Sequence, residues 1–254
     1  MLEIQGLTKR FGGLTAVNEV STCMEKGKVN AIIGPNGAGK TTFFNLIGGV
    51  HLPSAGRILL NGEDVTRCRA DDMAKRGVAR TFQSTTLFDL STVLDNLIVG
   101  HRLRTRFGLW DVLARTRRLR DEEALCRAKA RAALDFVGLS HLAQRLAADI
   151  TQEERKRVAL ALAIATDAQL VLLDEPAGGV NPEETLGLAV LIRKMVSSGI
   201  TVCLIEHKMD MIMQLADKIT VLNYGEKIAE GTPEEIRSNP AVIDAYLGSD
   251  HAEV

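Results

Sequence analysis

Runs of alternating and of continuous apolar residues predict where the strands of this chain lie. Residues 2–33 hold two alternating runs on either side of Gly12-Gly13 and then a short apolar run, so strands are expected throughout. The runs LVLLD (170–174) and TVCLIE (201–206) are continuously apolar, which is typical of parallel strands covered on both faces. GRILLNGEDVT and KITVLNYGEKIAEG carry turn residues between short runs and are predicted to form hairpins.

Helical patterns occupy the middle and the end of the chain. The pattern is helical over residues 91–146, and residues 151–166 form an almost wholly apolar helix after a charged first turn. Thr232 followed by proline opens a helix near the end of the chain. We therefore predict an α/β fold: a mostly parallel core sheet, an antiparallel β lobe and an inserted helical lobe.

Composition narrows the class of protein. The chain has 254 residues, 46% of them apolar and 25% charged, as in an ordinary soluble globular protein. Its net charge of −1 favours neither nucleic acid nor acidic lipid as a partner. The four cysteines lack CxxC spacing and are predicted to be reduced thiols. We expect neither a signal peptide nor a membrane span, because no apolar run reaches the ~18 residues that a span needs.

The segment GPNGAGKTT, residues 34–42, predicts a phosphate-binding loop. It fits the pattern G-x-x-x-x-G-K-[ST] between a predicted strand and a predicted helix. The glycines allow the backbone amides to point inward, and the helix start adds positive charge. Lys40 is predicted to reach the β- and γ-phosphates and Thr41 to bind Mg²⁺; a chance glycine-rich turn is the alternative. The candidate nucleotide contacts are Gly34, Pro35, Asn36, Gly37, Ala38, Gly39, Lys40, Thr41 and Thr42.

Acidic and imidazole side chains follow two of the predicted buried strands. Asp174 is predicted to hold Mg²⁺ directly or through water, and Glu175 to accept a proton from the attacking water or orient it. His207 follows the neighbouring strand and is predicted to contact the γ-phosphate. The alternative for all three is an ordinary strand end with a structural role.

At this point the chain resembles the ATP-binding subunits of ABC transporters, through GPNGAGKTT, TFQ, LVLLDEP and LIEH in that order. The segments LIEHKMDMIM and GTPEEIRSNPAVIDAYLG are similar to the branched-chain amino acid importer group. The resemblance implies one domain over residues 1–254, with core and β lobe at about 1–85 and 165–254 and the helical lobe at 86–164. It also implies an ATPase that uses ATP and Mg²⁺, lies peripherally on the cytoplasmic face of the inner membrane and energises permease subunits.

The resemblance assigns further roles to single residues. Phe11 would stack on adenine and Val17 would line the same ring, although a place in the core is the alternative for both. Gln83 would link the nucleotide to the helical lobe by contacting Mg²⁺ or water, with a catalytic role. Residues 82–96 would face the membrane subunit. The candidate docking residues there are Phe82, Leu87 and Phe88.

The signature of this family, commonly LSGGQ, binds the γ-phosphate of ATP held by a second subunit. Residues 150–154, ITQEE, stand in its place, so that Thr151 replaces the serine and both glycines are missing. Thr151 and Glu154 also predict a capping box. A Glu153 carboxylate ~4 Å from a phosphate would be repelled by ~4 kcal/mol at an effective dielectric of 20. We therefore expect good binding of ATP in cis and poor clamping in trans.

The missing signature glycines and the charge of Glu153 determine which partner subunits are expected. A heterodimer with a second ATPase subunit is favoured over a homodimer, and a regulatory ATP-binding subunit with weak hydrolysis is the alternative function. A periplasmic or extracellular solute-binding protein would be an indirect partner. The arginine-rich stretch 102–120 predicts a solvated helical face, with lipid headgroups or the membrane subunit as the alternative contact. Its aromatic residues are few, so nucleic acid is not expected.

Overall fold

The computed structural model of the chain describes residues 1–81, 87–102 and 117–250. Strands and helices alternate along most of these ranges, as the apolar pattern predicts. The strands are β1 (Leu2–Phe11), β2 (Leu14–Met24), β3 (Val29–Ile33), β4 (Ala55–Leu60), β5 (Glu63–Asp64), β6 (Val78–Thr81), β7 (Leu170–Asp174), β8 (Thr201–Ile205), β9 (Lys218–Asn223) and β10 (Glu226–Gly231). The helices are α1 (Lys40–Ile47), α2 (Ala70–Lys75), α3 (Val93–Arg102), α4 (Arg117–Phe136), α5 (Gln152–Ala165), α6 (Pro182–Ser197), α7 (Met209–Leu215), α8 (Pro233–Arg237) and α9 (Pro240–Asp250).

The core sheet places three strand ends side by side. Among the described residues its order is β10-β9-β3-β8-β7-β6, and every neighbouring pair except β9–β10 is parallel. Strands β3, β7 and β8 are buried at every position, and each buried Val or Leu contributes about 1.5–3 kcal/mol. Because these three strands are parallel neighbours, the segments that follow them emerge at the same edge of the sheet.

A second sheet of antiparallel strands, ordered β2-β1-β4-β5 in the described chain, covers one side of α1. Its apolar face shares a core with the helix, in which Leu2 and Ile4 join Phe43, Phe44 and Ile47. The turn between β4 and β5 is the Asn-Gly pair that the sequence predicts, and both of its residues have positive φ. The α/β core with an antiparallel β lobe is thus confirmed.

Helices α3, α4 and α5 pack against one another and share the larger hydrophobic core with the main sheet. This region lies within the predicted helical lobe, and the boundary between that lobe and the core stays a prediction. Most of the arginine-rich stretch falls in residues 103–116, outside the described ranges. Among the described helices, none combines the length and apolar character needed to cross a bilayer.

Candidate functional site

The phosphate loop connects β3 to α1, and its shape depends on glycine. Gly39 has a φ of +92°, in the left-handed region that residues with a side chain rarely adopt. A Cβ atom at Gly39 would lie 2.4 Å from the carbonyl oxygen of Ala16, so the loop is packed directly on β2. Gly39 is also the N-cap of α1, where the first N–H groups have no partner within the helix. This close turn leaves those amides available to an anion.

Lys40 is the first residue of α1, and its side chain is folded over the loop. Its Nζ donates to the carbonyl oxygens of Gly34 at 2.7 Å and Pro35 at 2.8 Å. An ammonium has three N–H groups, so these bonds leave one for a phosphate oxygen. Burial lowers the pKa of Lys40, and the negative charge of Glu175 partly opposes that effect. The loop therefore holds a desolvated positive charge close to the acidic end of β7.

A cavity of about 550 Å³ joins the loop to the ends of β7 and β8. Its size lies within the usual range for small-molecule sites. The predicted loop residues and the two predicted catalytic side chains therefore share one space. The described residues that line it are Leu14, Thr15, Ala16, Asn36, Gly37, Ala38, Gly39, Lys40, Thr41, Thr42, Glu175, Ile205, His207, Tyr224 and Gly225.

Glu175 and His207 face each other across the ends of two neighbouring strands. Glu175 Oε1 and His207 Nε2 are 3.0 Å apart. Glu175 has a φ of 48°, a conformation that costs a residue with a side chain of order 1–3 kcal/mol and is found most often at functional sites. Its N–H donates to the carbonyl of Ile205 at 2.9 Å, which ties β7 to β8. The carboxylate is thus held beside an imidazole, in a geometry suited to orienting water.

Asp174 is part of an ion pair that the sequence did not predict. Its Oδ2 accepts from Nη2 of Arg80 at 3.0 Å, and both side chains are about nine-tenths buried. Arg80 lies on β6 and also donates through Nη1 to Oδ1 of Asn45 in α1, at 2.6 Å. The Arg80 guanidinium therefore connects the proposed metal carboxylate to the helix that follows the phosphate loop.

Glu206 fixes the segments on either side of the Glu175–His207 pair. Its carboxylate is buried and accepts from the N–H groups of Ala177 at 2.7 Å, His207 at 2.9 Å and Lys208 at 3.2 Å. The Lys208 ammonium donates to the carbonyl of Val180 at 2.9 Å. The loop after β7 and the loop after β8 are thus held together. The sequence signal was the Glu-His pair after a buried strand. The three hydrogen bonds through which Glu206 holds the two loops are visible only in the folded structure.

The signature segment forms the predicted capping box. Thr151 is the N-cap of α5, its hydroxyl accepts from the N–H of Glu154, and the Glu154 carboxylate accepts from the N–H of Thr151. The sequence predicts that the Glu153 carboxylate is free and faces a phosphate, and the structure differs from this prediction. Its side chain is largely buried and forms an ion pair with Arg157, one helical turn later. The repulsion estimated for an unpaired carboxylate is therefore too large, and the weak-hydrolysis alternative loses its main support.

The residues assigned to adenine are placed outside the cavity. Val17 is fully buried in the hydrophobic core, which is the structural role that the sequence left open. Phe11 is 44% exposed and packs edge-on against His51, with ring centroids 5.5 Å apart. Neither is among the described residues that line the cavity, so their contact with adenine stays a prediction. Gln83 lies outside the described residues.

The predicted docking segment is only partly exposed. Leu87 is buried in the larger core, which corrects its assignment as a docking residue. Phe88 is 62% exposed and Leu90 is 92% exposed, and the sequence did not single out Leu90. The buried Asn96 side chain accepts from the N–H of Phe88 at 2.7 Å and donates to its carbonyl at 3.2 Å. Phe82 lies outside the described residues.

Comparison with known proteins places the chain among transport ATPases. Residues 17–178 match the family model described as ABC transporter. Residues 226–252 match a model described as branched-chain amino acid ATP-binding cassette transporter. The chain is 42% identical over 249 residues to the high-affinity branched-chain amino acid transport ATP-binding protein BraF of Pseudomonas aeruginosa, with 98% of each chain covered. Its identity to LivG of Escherichia coli, described in the same words, is 40% over 249 residues, again with 98% of each covered.

Solved structures agree with these relatives. The ADP conformation of MJ1267, an ATP-binding cassette of an ABC transporter, has a TM-score of 0.86 and 31% identity, with 98% of each chain covered. A nucleotide-free cassette from an ABC transporter has a TM-score of 0.85 and 32% identity, covering 97% of this chain and 98% of that one. The family model spans more than half of the chain, and the relatives span nearly all of it. The chain therefore belongs to the ABC transporter family and carries its ATP-binding cassette.

Proposed function

We propose that this chain is the ATP-binding and ATP-hydrolysing subunit of an ABC importer, and that it energises uptake of branched-chain or related amino acids through separate membrane subunits. The observation that carries the proposal is the cavity that Lys40 of the phosphate loop shares with Glu175 and His207. BraF and LivG are named for branched-chain amino acid transport, and this supports the substrate class.

The side chains divide the reaction between them. The loop amides and Lys40 bind the phosphates, because they direct N–H donors and one positive charge at the same point. Glu175 orients the attacking water or takes its proton. His207, 3.0 Å from Glu175, holds that carboxylate and contacts the γ-phosphate. Gln83 is assigned to the link between the nucleotide and the helical lobe.

The residues present also fit Mg²⁺. The Thr41 hydroxyl and the Asp174 carboxylate are oxygen donors of the kind that Mg²⁺ prefers. Arg80 pairs with Oδ2 of Asp174, and the Asp174 carboxylate would hold the metal together with Thr41. When bound, Mg²⁺ would neutralise charge that develops on the phosphates.

Two ATP-binding chains are proposed to act together, each presenting its signature to the other's nucleotide. Residues 150–154 lack both glycines, and this favours a heterodimer with a different ATPase subunit; the Glu153–Arg157 pair keeps a homodimer as the alternative. In either assembly Thr151 would face the partner's nucleotide through the start of α5.

The membrane permease is proposed to dock on the segment that contains the exposed Phe88 and Leu90. Arg155 of the signature helix donates to Oδ1 of Asp89 in this segment at 2.8 Å, and to the carbonyl of Ala147 at 2.7 Å. A movement at the docking segment would thus be passed to the signature. We propose that the chain lies peripherally at the cytoplasmic face of the inner membrane, with a periplasmic or extracellular solute-binding protein as an indirect partner.

Purification of the assembled transporter tests this function. The complex captured through a tag on this chain is reconstituted in liposomes, and ATP hydrolysis and uptake of labelled leucine, isoleucine and valine are measured. We expect uptake that needs internal ATP and is lost with Lys40→Ala. Uptake that survives Lys40→Ala, or hydrolysis that no amino acid of this class stimulates in the presence of the solute-binding protein, would contradict the proposal.

A further inference from the structure

A second buried lysine, in addition to Lys40 of the phosphate loop, lies on the signature helix α5. Lys156 is 6% exposed, the same fraction as Lys40. It stands in the second turn of the helix that Thr151 caps. Lysine is almost never fully buried unless its charge is paired or hydrogen-bonded. The surroundings of Lys156 therefore indicate what this side chain does.

The ammonium of Lys156 holds the main chain of Glu175. Its Nζ donates to the carbonyl oxygen of Glu175 at 3.2 Å, and the same oxygen accepts from the N–H of Gly178 at 3.0 Å. The N–H of Glu175 is bonded to the carbonyl of Ile205. Both polar main-chain groups of Glu175 are thus engaged, and its φ of 48° lies in the left-handed region. A charged donor makes a stronger hydrogen bond than a neutral one, so Lys156 helps to hold this strained residue in place.

Acidic side chains at the ends of β7 and β8 act on the same ammonium. Burial lowers the pKa of Lys156, and the negative charges of Glu206, Glu175 and Asp174 oppose that effect. The positive charge of Lys156 is therefore balanced by the acidic groups of the site, which explains how a lysine is kept inside the protein at this place.

We propose that Lys156 is a positioning residue for Glu175: from the signature helix it holds the main chain of the catalytic glutamate, so that the carboxylate stays beside His207. This inference rests on the hydrolysis proposed above. The carboxylate and the imidazole are 3.0 Å apart, and that distance depends on the backbone of Glu175. Because α5 begins at the signature, Lys156 also connects Thr151, which is assigned to the partner's nucleotide, with the glutamate that serves this chain's own nucleotide.

Single-turnover phosphate release in the assembled transporter tests the inference. Lys156→Met keeps a side chain of similar length and removes the ammonium. It should leave the Kd for MgATP within about twofold of wild type and slow phosphate release by about 10- to 100-fold, as expected for a misplaced catalytic group. Lys194→Met is the matched control, because Lys194 is an exposed lysine on α6 whose Nζ donates to the carbonyl of Phe136 at 2.8 Å. It should change neither quantity.

The same substitution in a Glu175→Gln background separates positioning from general support of the fold. Adding Lys156→Met there should slow the residual release by less than about twofold, because the carboxylate that Lys156 positions is already removed. Lys156→Gln keeps an N–H donor and loses the charge, so its release rate should lie between those of wild type and Lys156→Met. It supplies the measurement if Lys156→Met does not assemble.

The outcomes separate the inference from the function on which it rests. Phosphate release at the wild-type rate in the Lys156 variants, with slow release in Glu175→Gln, overturns the positioning role alone. Slowing that is as large in the Glu175→Gln background as in the wild-type chain also overturns it, because the lysine would then act independently of the carboxylate. Weaker MgATP binding with an unchanged release rate would do the same. Release at the wild-type rate in Glu175→Gln would overturn the proposed hydrolytic role of Glu175, and the inference with it.

Discussion

Arg80 on β6 and Asp174 at the end of β7 form a buried ion pair, with Nη2 and Oδ2 3.0 Å apart. The same guanidinium bonds Asn45 on α1. One arginine thus holds three elements around the phosphate site, in a position where a lone buried carboxylate would be strongly disfavoured.

Replacing Arg80 should therefore destabilise the fold. We expect Arg80→Ala to lower the free energy of unfolding by about 3–5 kcal/mol, because it leaves the Asp174 carboxylate buried without this partner. Arg76→Ala removes an exposed pair with Glu63 at 3.2 Å and should cost less than about 1 kcal/mol. Urea unfolding of both variants gives the comparison. Equal losses would show that the Arg80 pair contributes no more than a surface contact.

Two glycines of the phosphate loop should differ in how they tolerate alanine. Gly37 has a φ of +78° and open space within 4 Å of the position that a Cβ atom would take, whereas a Cβ at Gly39 would meet the Ala16 carbonyl at 2.4 Å. Gly37→Ala should cost about 1–2 kcal/mol for its left-handed conformation. Gly39→Ala should cost clearly more, because a backbone carbonyl must also move. Urea midpoints at constant m-value measure the difference, and a smaller loss for Gly39→Ala would refute the tight packing of the loop on β2.

Nucleotide affinity should depend on pH through Lys40. Burial lowers the pKa of this lysine in the free chain, and phosphate charges raise it again on binding. The affinity should be flat near neutral pH and fall as pH rises, starting below the ordinary lysine value of about 10.4. At pH values between the pKa of Lys40 in the free chain and its pKa in the complex, nucleotide binding takes up a proton. Calorimetry in buffers of different ionisation enthalpy detects this uptake. Lys40→Arg, which stays charged, should remove the proton uptake; its persistence would assign the effect to another group.

The signature of this chain should be improved by removing Glu153. In a Glu175→Gln background, where hydrolysis is blocked, Glu153→Gly should strengthen ATP-dependent dimerisation by about tenfold. The gain should be smaller than the ~10³-fold change in binding expected from removing an unpaired charge, because Arg157 already neutralises part of the Glu153 charge. Sedimentation measures the dimer, and Glu183→Gly, in the first turn of α6, is the control. No gain over Glu183→Gly would remove the reason for favouring a heterodimer.

The elements of the fold were largely predictable because their signals are local. Continuous apolar runs identified β7 and β8, and turn residues identified both hairpins. The phosphate loop also has a local pattern, in which a glycine-rich turn precedes Lys40. The strands, the hairpins and the phosphate loop each depend on residues that are close together in the sequence, and the fold keeps these local structures.

The remaining parts of the site depend on neighbours that are distant along the chain. Arg80 precedes Asp174 by 94 positions, and nothing near either residue indicates the pair. Val17 has the pattern of a strand residue, but only the packing of the second sheet on α1 decides that it is buried. Tyr224 belongs to a predicted hairpin, and its place at the cavity rim depends on how that turn meets the phosphate loop.

The central claim, that Glu175 activates water for ATP gripped by the phosphate loop, is tested most directly by a single-turnover measurement. Phosphate release from bound MgATP is followed in the assembled transporter with wild-type chain and with Glu175→Gln. We expect Glu175→Gln to bind MgATP with unchanged affinity and to release phosphate about 10²- to 10⁴-fold more slowly. Release at the wild-type rate from tightly bound nucleotide would contradict the claim.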